Sequence, residues 1–212
     1  MDATVTVTHA ENVGPETIAL RFETPEGFEA APGQFVKLSA EVDGESYARF
    51  YTLSSPDVTD TFEITVEIDP ESAGPFSERL AALSADDTIE MSGPFGSDYY
   101  EGEPRVVVLA GGPGIGPAVG IGERALADDG EVAIVYQDDE PAHQQRLTAL
   151  REAGASVTIT DGELTEAVDN AVTTAEAEQV FVYGFGPFVE KARAAIEAAG
   201  GDVETLKVEN FG

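Results

Sequence analysis

Four short segments of the chain carry residue types that can bind a phosphate or a flat aromatic ring. The first is Arg49-Phe50-Tyr51-Thr52. A guanidinium can bind phosphate oxygens through two parallel hydrogen bonds, a tyrosine ring offers a surface for stacking, and a threonine hydroxyl can bond a ring nitrogen. On an extended strand Arg49 and Tyr51 share one face, while Phe50 and Thr52 share the other. A half-buried strand with one solvated arginine would explain the same four residues.

The second segment, Gly74-Pro75-Phe76-Ser77, lies where the sequence predicts a short helix over Phe76–Leu83. The Ser77 hydroxyl and the free N–H groups of a first helical turn can hold a phosphate. An ordinary capped helix is the alternative interpretation of this segment.

The third and fourth segments are glycine-rich turns in the second half of the chain. Residues 109–117 (Leu-Ala-Gly-Gly-Pro-Gly-Ile-Gly-Pro) join an apolar strand to a helix predicted to begin at Pro117. The glycines permit a sharp turn close to a ligand, and the helix N-terminus suits a pyrophosphate. Gly184-Phe185-Gly186-Pro187 follows a later strand, and we expect both turns to face one crevice. Neither a G-x-G-x-x-G fingerprint nor a P-loop lysine is present, and a tight strand–helix connection alone could explain the glycines.

The elements that would position these segments differ between the two halves of the chain. In the first half, short β-branched runs at regular spacing predict a small antiparallel barrel or sandwich. Its strands are predicted at Ala3–His9, Thr17–Thr24, Gln34–Ala40, Tyr47–Ser54, Thr61–Ile68 and Thr88–Ser92.

After the polar segment Ser97–Pro104, which fits a linker, apolar strands alternate with helices. That alternation predicts a parallel sheet of about five strands with helices on both faces. The strands are predicted at Arg105–Ala110, Val132–Tyr136, Ser156–Thr160, Gln179–Tyr183 and Thr205–Val208. The helices are predicted at Pro117–Ala127, Pro141–Ala153, Leu164–Ala175 and Pro187–Ala198.

The composition excludes several classes of function. The 212 residues include 41 Asp and Glu, 11 Lys and Arg and no cysteine, so the formal net charge is −30. The absence of cysteine excludes disulfides and cysteine-ligated iron–sulfur clusters, and we predict no metal site. The negative charge argues against nucleic acid as a partner, since phosphate backbones need clustered cations. Hydrophobic residues make up 42%, which is enough for a folded core.

The same composition suggests where the protein works. No apolar run reaches the ~18–20 residues of a membrane span, and no signal-peptide pattern opens the chain, so we expect a cytoplasmic protein. The evenly spread acidic residues resemble the surfaces of proteins from halophilic, salt-accumulating microbes. Molar salt shortens the screening length to roughly 3 Å, which suppresses the mutual repulsion of such charges.

Six motifs, in this order along the chain, resemble those of the ferredoxin–NADP reductase superfamily, and the resemblance covers nearly all 212 residues. They are the P-G-Q turn Pro32–Gln34, the R-x-Y-[S/T] motif Arg49–Thr52, the G-x-x-S turn Gly74–Ser77, the G-P-x-G segment Gly93–Gly96, the A-G-G-x-G-I-x-P loop Ala110–Pro117 and the E-x-F sequence Glu209–Phe211. The resemblance implies an N-terminal flavin-binding antiparallel β-barrel over residues 1–98 and a C-terminal nicotinamide-nucleotide-binding α/β domain over residues 99–212.

The resemblance also implies roles for individual residues. Arg49 would neutralise the flavin pyrophosphate, Tyr51 would stack on the isoalloxazine ring and Thr52 would hydrogen-bond near flavin N5. Thr52 and Glu209 are the implied catalytic residues, and Glu209 or Phe211 would lie near the two redox rings. The other implied cofactor-binding residues are Phe50, Val66, Glu67, Ile68, Gly74, Phe76 and Ser77 for the flavin, and Gly111, Gly112, Gly114, Ile115, Pro117, Gly186, Pro187 and Phe188 for the nicotinamide nucleotide.

Three residues depart from the superfamily pattern. Phe185 stands where a cysteine commonly abuts the nicotinamide, and it can still provide an apolar wall. Pro113 replaces a common threonine and removes one N–H donor. Glu67 stands where a basic residue often helps to hold the flavin phosphate.

The implied function is hydride transfer from NADH or NADPH to FAD, rather than FMN, followed by electron transfer to a small redox protein such as ferredoxin or to another acceptor. Asp138-Asp139, after a predicted strand, favours NADH because carboxylates repel a 2′-phosphate. His9 and His143 are too isolated to form an acid/base pair, and we expect both to be exposed. No oligomeric state is predicted.

Two other functions remain open from the sequence. One is a non-autonomous electron-transfer subunit of a larger redox complex, which the small size and the lack of a fused acceptor domain permit. The other is a nucleotide-sensing module with altered redox function, which Phe185, Pro113 and Glu67 suggest.

Overall fold

The computed structural model describes residues 1–68 and 73–212, which form an antiparallel β-barrel followed by an α/β unit. The barrel contains β1 (Asp2–Gly14), β2 (Thr17–Glu23), β3 (Phe35–Val42), β4 (Glu45–Thr52), β5 (Thr61–Glu67), α1 (Pro75–Ala81) and β6 (Thr88–Phe95). The α/β unit contains β7 (Arg105–Gly111), α2 (Ile115–Ala127), β8 (Glu131–Gln137), α3 (Gln144–Glu152), β9 (Ser156–Thr160), α4 (Thr165–Ala171), β10 (Glu178–Gly184), α5 (Gly186–Ala198) and β11 (Lys207–Asn210). These elements confirm the predicted fold class.

The barrel strands run antiparallel in the order β4-β3-β6-β1-β2-β5. A bridge between Leu53 and Ile64 joins the two ends of this sheet. Apolar side chains alternate inward along each strand, as a one-sided core requires. Phe22 and Phe62, whose ring centroids lie 5.3 Å apart, are fully buried in that core.

Strand β5 is buried on both of its faces, unlike the other barrel strands. Phe62, Ile64 and Val66 point into the barrel core. Glu63 and Thr65 point the other way and are nevertheless buried, with 9% and 6% of their surface exposed. The α/β unit covers this outer face, so β5 lies between the two halves of the molecule.

The α/β unit has five parallel strands in the order β11-β10-β7-β8-β9. The central strand β7 is buried on both faces, as expected for a parallel sheet covered by helices. Val106 and Val108 pack in the core that contains α2 and α3, while Val107 and Leu109 pack in the core that contains α4 and α5. The strand therefore ends between two helical layers, where its carboxyl end meets the barrel.

Many element boundaries differ by one to five residues from the sequence-based expectation. Strand β1 continues to Gly14, and α2 begins at Ile115 rather than at Pro117, after a single 3₁₀ turn. The predicted linker has no helix or strand, but Tyr100 within it is buried and its N–H donates to the Pro32 carbonyl. The domain boundary between residues 98 and 99 falls in this segment and stays a prediction. Within residues 1–68 and 73–212, no helix has the length and apolar character needed to cross a bilayer.

Candidate functional site

A cleft of about 480 Å³ lies between the barrel and the α/β unit. Strands β4 and β5 form its barrel side, and the turns that follow β7 and β10 form its other side. The residues that line it are Arg49, Phe50, Tyr51, Thr52, Thr65, Val66, Glu67, Ala73, Ser77, Pro113, Pro117, Phe185 and Phe211. The volume falls within the range of small-molecule and cofactor sites, about 300–1,000 Å³.

Strand β4 brings a cation and a flat ring to the cleft. The Arg49 guanidinium is exposed and donates to the Ala48 carbonyl at 2.8 Å, and it makes no ion pair within the described ranges. Tyr51 is half-buried against the barrel core, and burial raises the pKa of its phenol well above the usual value. Phe50 is 61% exposed and contacts the rings of Phe35 and Phe95 edge-on. The Arg49 guanidinium can thus bind an anion, while the Tyr51 phenol keeps its proton.

Thr52 connects the barrel to the last strand of the α/β unit. Its Oγ1 donates to Glu209 Oε2 at 2.8 Å, across 157 residues of sequence. Burial raises the pKa of Glu209 to about 7, the Thr52 hydrogen bond opposes that rise, and the charge of Asp98 adds to it. The carboxyl therefore exchanges its proton near neutral pH, next to the cleft.

The glycines of the first turn are required mainly by close packing. A Cβ on Gly114 would lie 2.2 Å from the Tyr183 carbonyl oxygen, and a Cβ on Gly111 would lie 2.5 Å from the Phe188 ring. Gly112 has a positive φ of 53° and faces the Glu67 carboxylate. This packing holds the β7 and β10 turns together and leaves Pro113 facing the cleft.

The second turn places an aromatic pair at the same cleft. Phe185 is 46% exposed, and its ring meets the Phe211 ring edge-on at a centroid distance of 6.0 Å. Phe185 from the turn after β10 and Pro113 from the turn after β7 both line the cleft, so the two turns do face one crevice, which Phe211 lines as well. The Phe185 and Phe211 rings thus supply apolar surface to the cleft that Tyr51 also lines.

The structure brings eight of the predicted site residues to the cleft surface and places the others behind or beside it. Those at the cleft surface are Arg49, Phe50, Tyr51, Thr52, Val66, Glu67, Ser77 and Pro117. Three lie in hydrophobic cores with at most 8% exposed surface: Phe76, Ile115 and Phe188. The remainder flank the cleft without forming its surface: Ile68, Gly74, Gly111, Gly112, Gly114, Gly186, Pro187 and Glu209.

The expectation that His143 is exposed is wrong, whereas His9 is exposed as predicted. Only 4% of the His143 surface is exposed, and its Nε2 lies 2.8 Å from Thr65 Oγ1. Burial lowers the pKa of His143 to about 3, and the charge of Arg146 adds to that effect. Sequence reasoning also missed Thr65 and Ala73 in the cleft lining. Only the alternation along β5 pointed to an outward-facing Thr65, and nothing in it indicated a partner.

The residues present fit a flavin nucleotide. A guanidinium without an ion pair in the described part of the chain can meet the diphosphate, and the half-buried Tyr51 ring offers a flat face for the isoalloxazine. Thr52 supplies a hydroxyl beside that ring. No group of His, Asp or Glu in residues 1–68 and 73–212 is arranged to hold a metal ion.

Sequence comparison shows which known family the barrel half resembles. Residues 4–100 match the family described as the oxidoreductase FAD-binding domain. The ferredoxin reductase component of 3-ketosteroid-9-alpha-monooxygenase from Mycolicibacterium smegmatis is 31% identical over 215 residues, which is 91% of this chain and 61% of that protein. A probable dihydroorotate dehydrogenase B (NAD(+)) electron transfer subunit from Methanopyrus kandleri is 37% identical over 108 residues, 51% of this chain and 38% of that protein. The chain thus spans less than two thirds of the length of these relatives.

Solved structures with the same fold match the whole chain. The FAD/NAD binding domain of nitric oxide dioxygenase from Vibrio cholerae has a TM-score of 0.83 at 19% identity and covers 99% of this chain and 98% of that one. A ferredoxin NADP+ reductase from Neisseria gonorrhoeae with bound FAD and NADP has a TM-score of 0.80 at 19% identity and covers 100% and 99%. The two halves of the chain therefore have the ferredoxin–NADP reductase-like fold.

Proposed function

We propose, from the match of residues 4–100 to the oxidoreductase FAD-binding domain family, that the chain is an NAD(P)H-dependent flavoprotein reductase. Bound FAD would accept a hydride from NADH or NADPH and pass the electrons on to an acceptor, such as a small redox protein. The observation that carries this proposal is the shared cleft, in which Tyr51 and Thr52 face the β7 and β10 turns.

The chain's own residues would bind the flavin and exclude water. Arg49 and Ser77, which both line the cleft, would bind the diphosphate, and Tyr51 would stack under the ring. Phe185 and Phe211 would cover the opposite side, where the nicotinamide has to approach. We propose the remaining predicted residues as cofactor-binding as well: Phe50, Val66, Glu67, Ile68, Gly74 and Phe76 for the flavin, and Gly111, Gly112, Gly114, Ile115, Pro117, Gly186, Pro187 and Phe188 for the nicotinamide nucleotide.

Glu209 is the group that would hold a proton near the redox rings. Its carboxyl has a pKa of about 7 and accepts a hydrogen bond from the Thr52 hydroxyl. A proton on Glu209 Oε can therefore be shared with Thr52 Oγ1, the atom that would lie beside flavin N5. This arrangement favours a proton relay over a separate acid/base pair, because His143 is not among the residues that line the cleft.

We extend the proposal to NADH as the preferred donor. The Asp138 carboxylate follows β8 and accepts hydrogen bonds from the Tyr136 hydroxyl and the Glu140 N–H, both at 2.8 Å. A carboxylate held in place at the carboxyl end of the sheet would repel a 2′-phosphate. A tenfold preference for NADPH would contradict this part of the proposal.

The test is the visible spectrum of the purified protein in molar salt, followed by titration with NADH. We expect yellow flavin bands that bleach on titration. Arg49→Met should lower FAD affinity about tenfold or more, since it removes a charge-assisted contact of roughly 1.5–3 kcal/mol. Arg151→Met is the matched control, because it removes an exposed guanidinium whose hydrogen bonds, among residues 1–68 and 73–212, go only to the Val157 carbonyl. A colourless protein that does not take up FAD would overturn the proposal.

A second candidate is an electron-transfer subunit that works only within a larger complex. The 37% identity to the Methanopyrus kandleri electron transfer subunit favours it. A flavin that NADH bleaches, but that reduces no artificial dye when the chain is alone, would support this candidate. In either case we propose a cytoplasmic protein adapted to high salt, for which the net charge of −30 is the reason.

A further inference from the structure

The barrel and the α/β unit meet along a closed interface behind the cleft, which we call the seam. It consists of Gly14, Ser54, Thr65, Gly116, Gly120, Ala142 and His143. A Cβ on Gly116 would lie 2.6 Å from Thr65 Cβ, and one on Gly120 would lie 2.9 Å from the Ser54 carbonyl oxygen. Real Cβ atoms do not approach other atoms so closely. The main chain of α2 therefore packs directly on the barrel.

Two side chains from the start of α3 extend the seam onto β5. His143 precedes the helix and bonds Thr65 at 2.8 Å, while Arg146 Nη1 donates to Glu63 Oε1 at 3.0 Å. Arg146 also makes two hydrogen bonds of 2.7 Å to Glu123. His143 and Arg146 are three residues apart at the start of α3, and their partners Thr65 and Glu63 are two residues apart on one face of β5. The spacing along the helix therefore fits the spacing along the strand.

His143 is held in place by its backbone as well. Its φ is +53°, a left-handed conformation that non-glycine residues seldom adopt. Its N–H donates to the Val13 carbonyl at 2.8 Å, and the preceding Ala142 packs against Gly14. This uncommon backbone directs the imidazole into the seam rather than towards solvent.

Thr65 links the seam to the cleft. Its hydroxyl bonds His143, yet the residue also lines the cleft together with the next two residues of β5, Val66 and Glu67. We propose that His143 is a positioning residue, which through Thr65 holds the β5 wall of the cleft at a fixed place relative to the β7 and β10 turns. Its effect on hydride transfer rests on the proposed function, whereas its effect on the spacing of the two halves does not.

The absence of cysteine allows this spacing to be measured directly. Glu78 on α1 and Glu190 on α5 are exposed, and replacing both with cysteine attaches one spin label to each half. Pulsed electron resonance on the full chain, measured with and without FAD, then gives the distribution of distances between the labels. The seam variants are His143→Leu, His143→Gln and Thr65→Val, together with the double variant His143→Leu/Thr65→Val.

We expect a narrow distribution of distances between the two spin labels in the labelled parent protein, and a broader distribution in His143→Leu and in Thr65→Val. His143→Gln keeps a polar group near the Nε2 position and should restore the narrow distribution. The double variant should be no broader than either single variant, because both remove the same bond. A narrow distribution in His143→Leu, or a failure of glutamine to restore it, would overturn the inference.

The consequence for the reaction is tested by single-turnover bleaching of the flavin with NADH. His143→Leu should slow bleaching about tenfold, as expected for misplaced rings, with NADH affinity changed less than about twofold and with recovery in His143→Gln. Broader distances with unchanged bleaching would overturn the positioning role. A parent protein that binds FAD but is not bleached would instead contradict the proposed function, and the label distances would still decide whether the seam fixes the spacing.

Discussion

The barrel contacts the α/β unit on two sides through the same kind of bond, and the two contacts behave in opposite ways. Beside the cleft, Thr52 bonds Glu209, and at the seam Thr65 bonds His143, each at 2.8 Å. Burial disfavours the charged form of both groups, so the pKa of Glu209 rises to about 7 while that of His143 falls to about 3.

Burial, the same physical cause, therefore has a different consequence for the proton at each of the two contacts. The carboxyl is neutral only below about pH 7, so a proton can be gained or lost there under working conditions. The imidazole stays neutral throughout the neutral range, so the seam contact does not change as the proton at the cleft moves. The two contacts also differ in their surroundings. Glycines pack closely against the barrel at the seam, whereas the Thr52–Glu209 contact lies next to the open cleft.

The largest effect should appear when the seam is acidified. The pKa of His143 is about 3 in the folded protein and about 6.5 for an ordinary histidine. The folded state therefore binds fewer protons than the unfolded state between these values, and stability present above pH 6.5 is lost as the pH falls towards 3. Relative to His143→Gln, the wild type should lose roughly 3 kcal/mol between pH 6.5 and 4.

Urea unfolding of both proteins at a series of pH values measures this difference. His143→Gln carries all the other acidic groups, so their protonation cancels in the comparison. If the difference in unfolding free energy between the two proteins stays constant from pH 6.5 to 4, the imidazole titrates normally. The contrast between His143 at the seam and Glu209 at the cleft would then be wrong.

The stability contributed by Glu209 at the cleft should change with pH in the opposite direction to that contributed by His143. The folded pKa of Glu209 is raised to about 7 from an ordinary value of 4.5, so its contribution is fully present below pH 4.5 and is lost as the pH rises through 7. Relative to Glu209→Gln, the wild type should lose about 2–3 kcal/mol between pH 4.5 and 7.5.

Chemical unfolding at constant molar salt measures this prediction, because salt suppresses the general repulsion among acidic groups. Glu204→Gln, at an exposed position near the same strand, is the matched control and should show no such slope. Equal slopes for the two variants would show that the effect is general repulsion rather than burial at the cleft.

A smaller effect is expected from filling the seam. Gly116→Ala places a Cβ 2.6 Å from Thr65 Cβ, while alanine also favours the helix by about 1 kcal/mol. The net loss of unfolding free energy should be up to about 2 kcal/mol, since overpacking typically costs about 1–3 kcal/mol and the gain in helix propensity offsets about 1 kcal/mol of it. Gly122→Ala in the same helix would meet only side-chain ends at 3.2 Å or more, and it should lose less. Thermal unfolding compares the two variants. If Gly116→Ala loses as much unfolding free energy as Gly122→Ala or less, the seam has room for the added methyl group.

Much of the fold could be predicted because its signals are local. The alternation of β-branched residues predicted all six barrel strands, and the β7 turn was evident from its glycines. Phe76 and Phe188 show the limit of motif matching. Both belong to segments that border the cleft, yet their side chains lie in hydrophobic cores. A motif indicates where a segment lies, whereas packing decides which way each side chain points.

The exposed His143 expected from the sequence illustrates the same limit at the seam. A polar residue at the start of a helix usually faces solvent, and no neighbour within a few residues argues otherwise. Its partner Thr65 lies 78 residues away, and the left-handed backbone that turns the ring inward has no signature in the sequence.

By itself, the sequence determined the order of strands and helices, the two kinds of sheet and the segments that border the cleft. These follow from periodicity and turn chemistry, which act over a few residues. Only the tertiary structure decided that Thr52 meets Glu209 and that Thr65 meets His143, and hence which protons move near pH 7. Burial sets those pKa values, and burial depends on chain segments that are distant in sequence and meet only in the folded molecule.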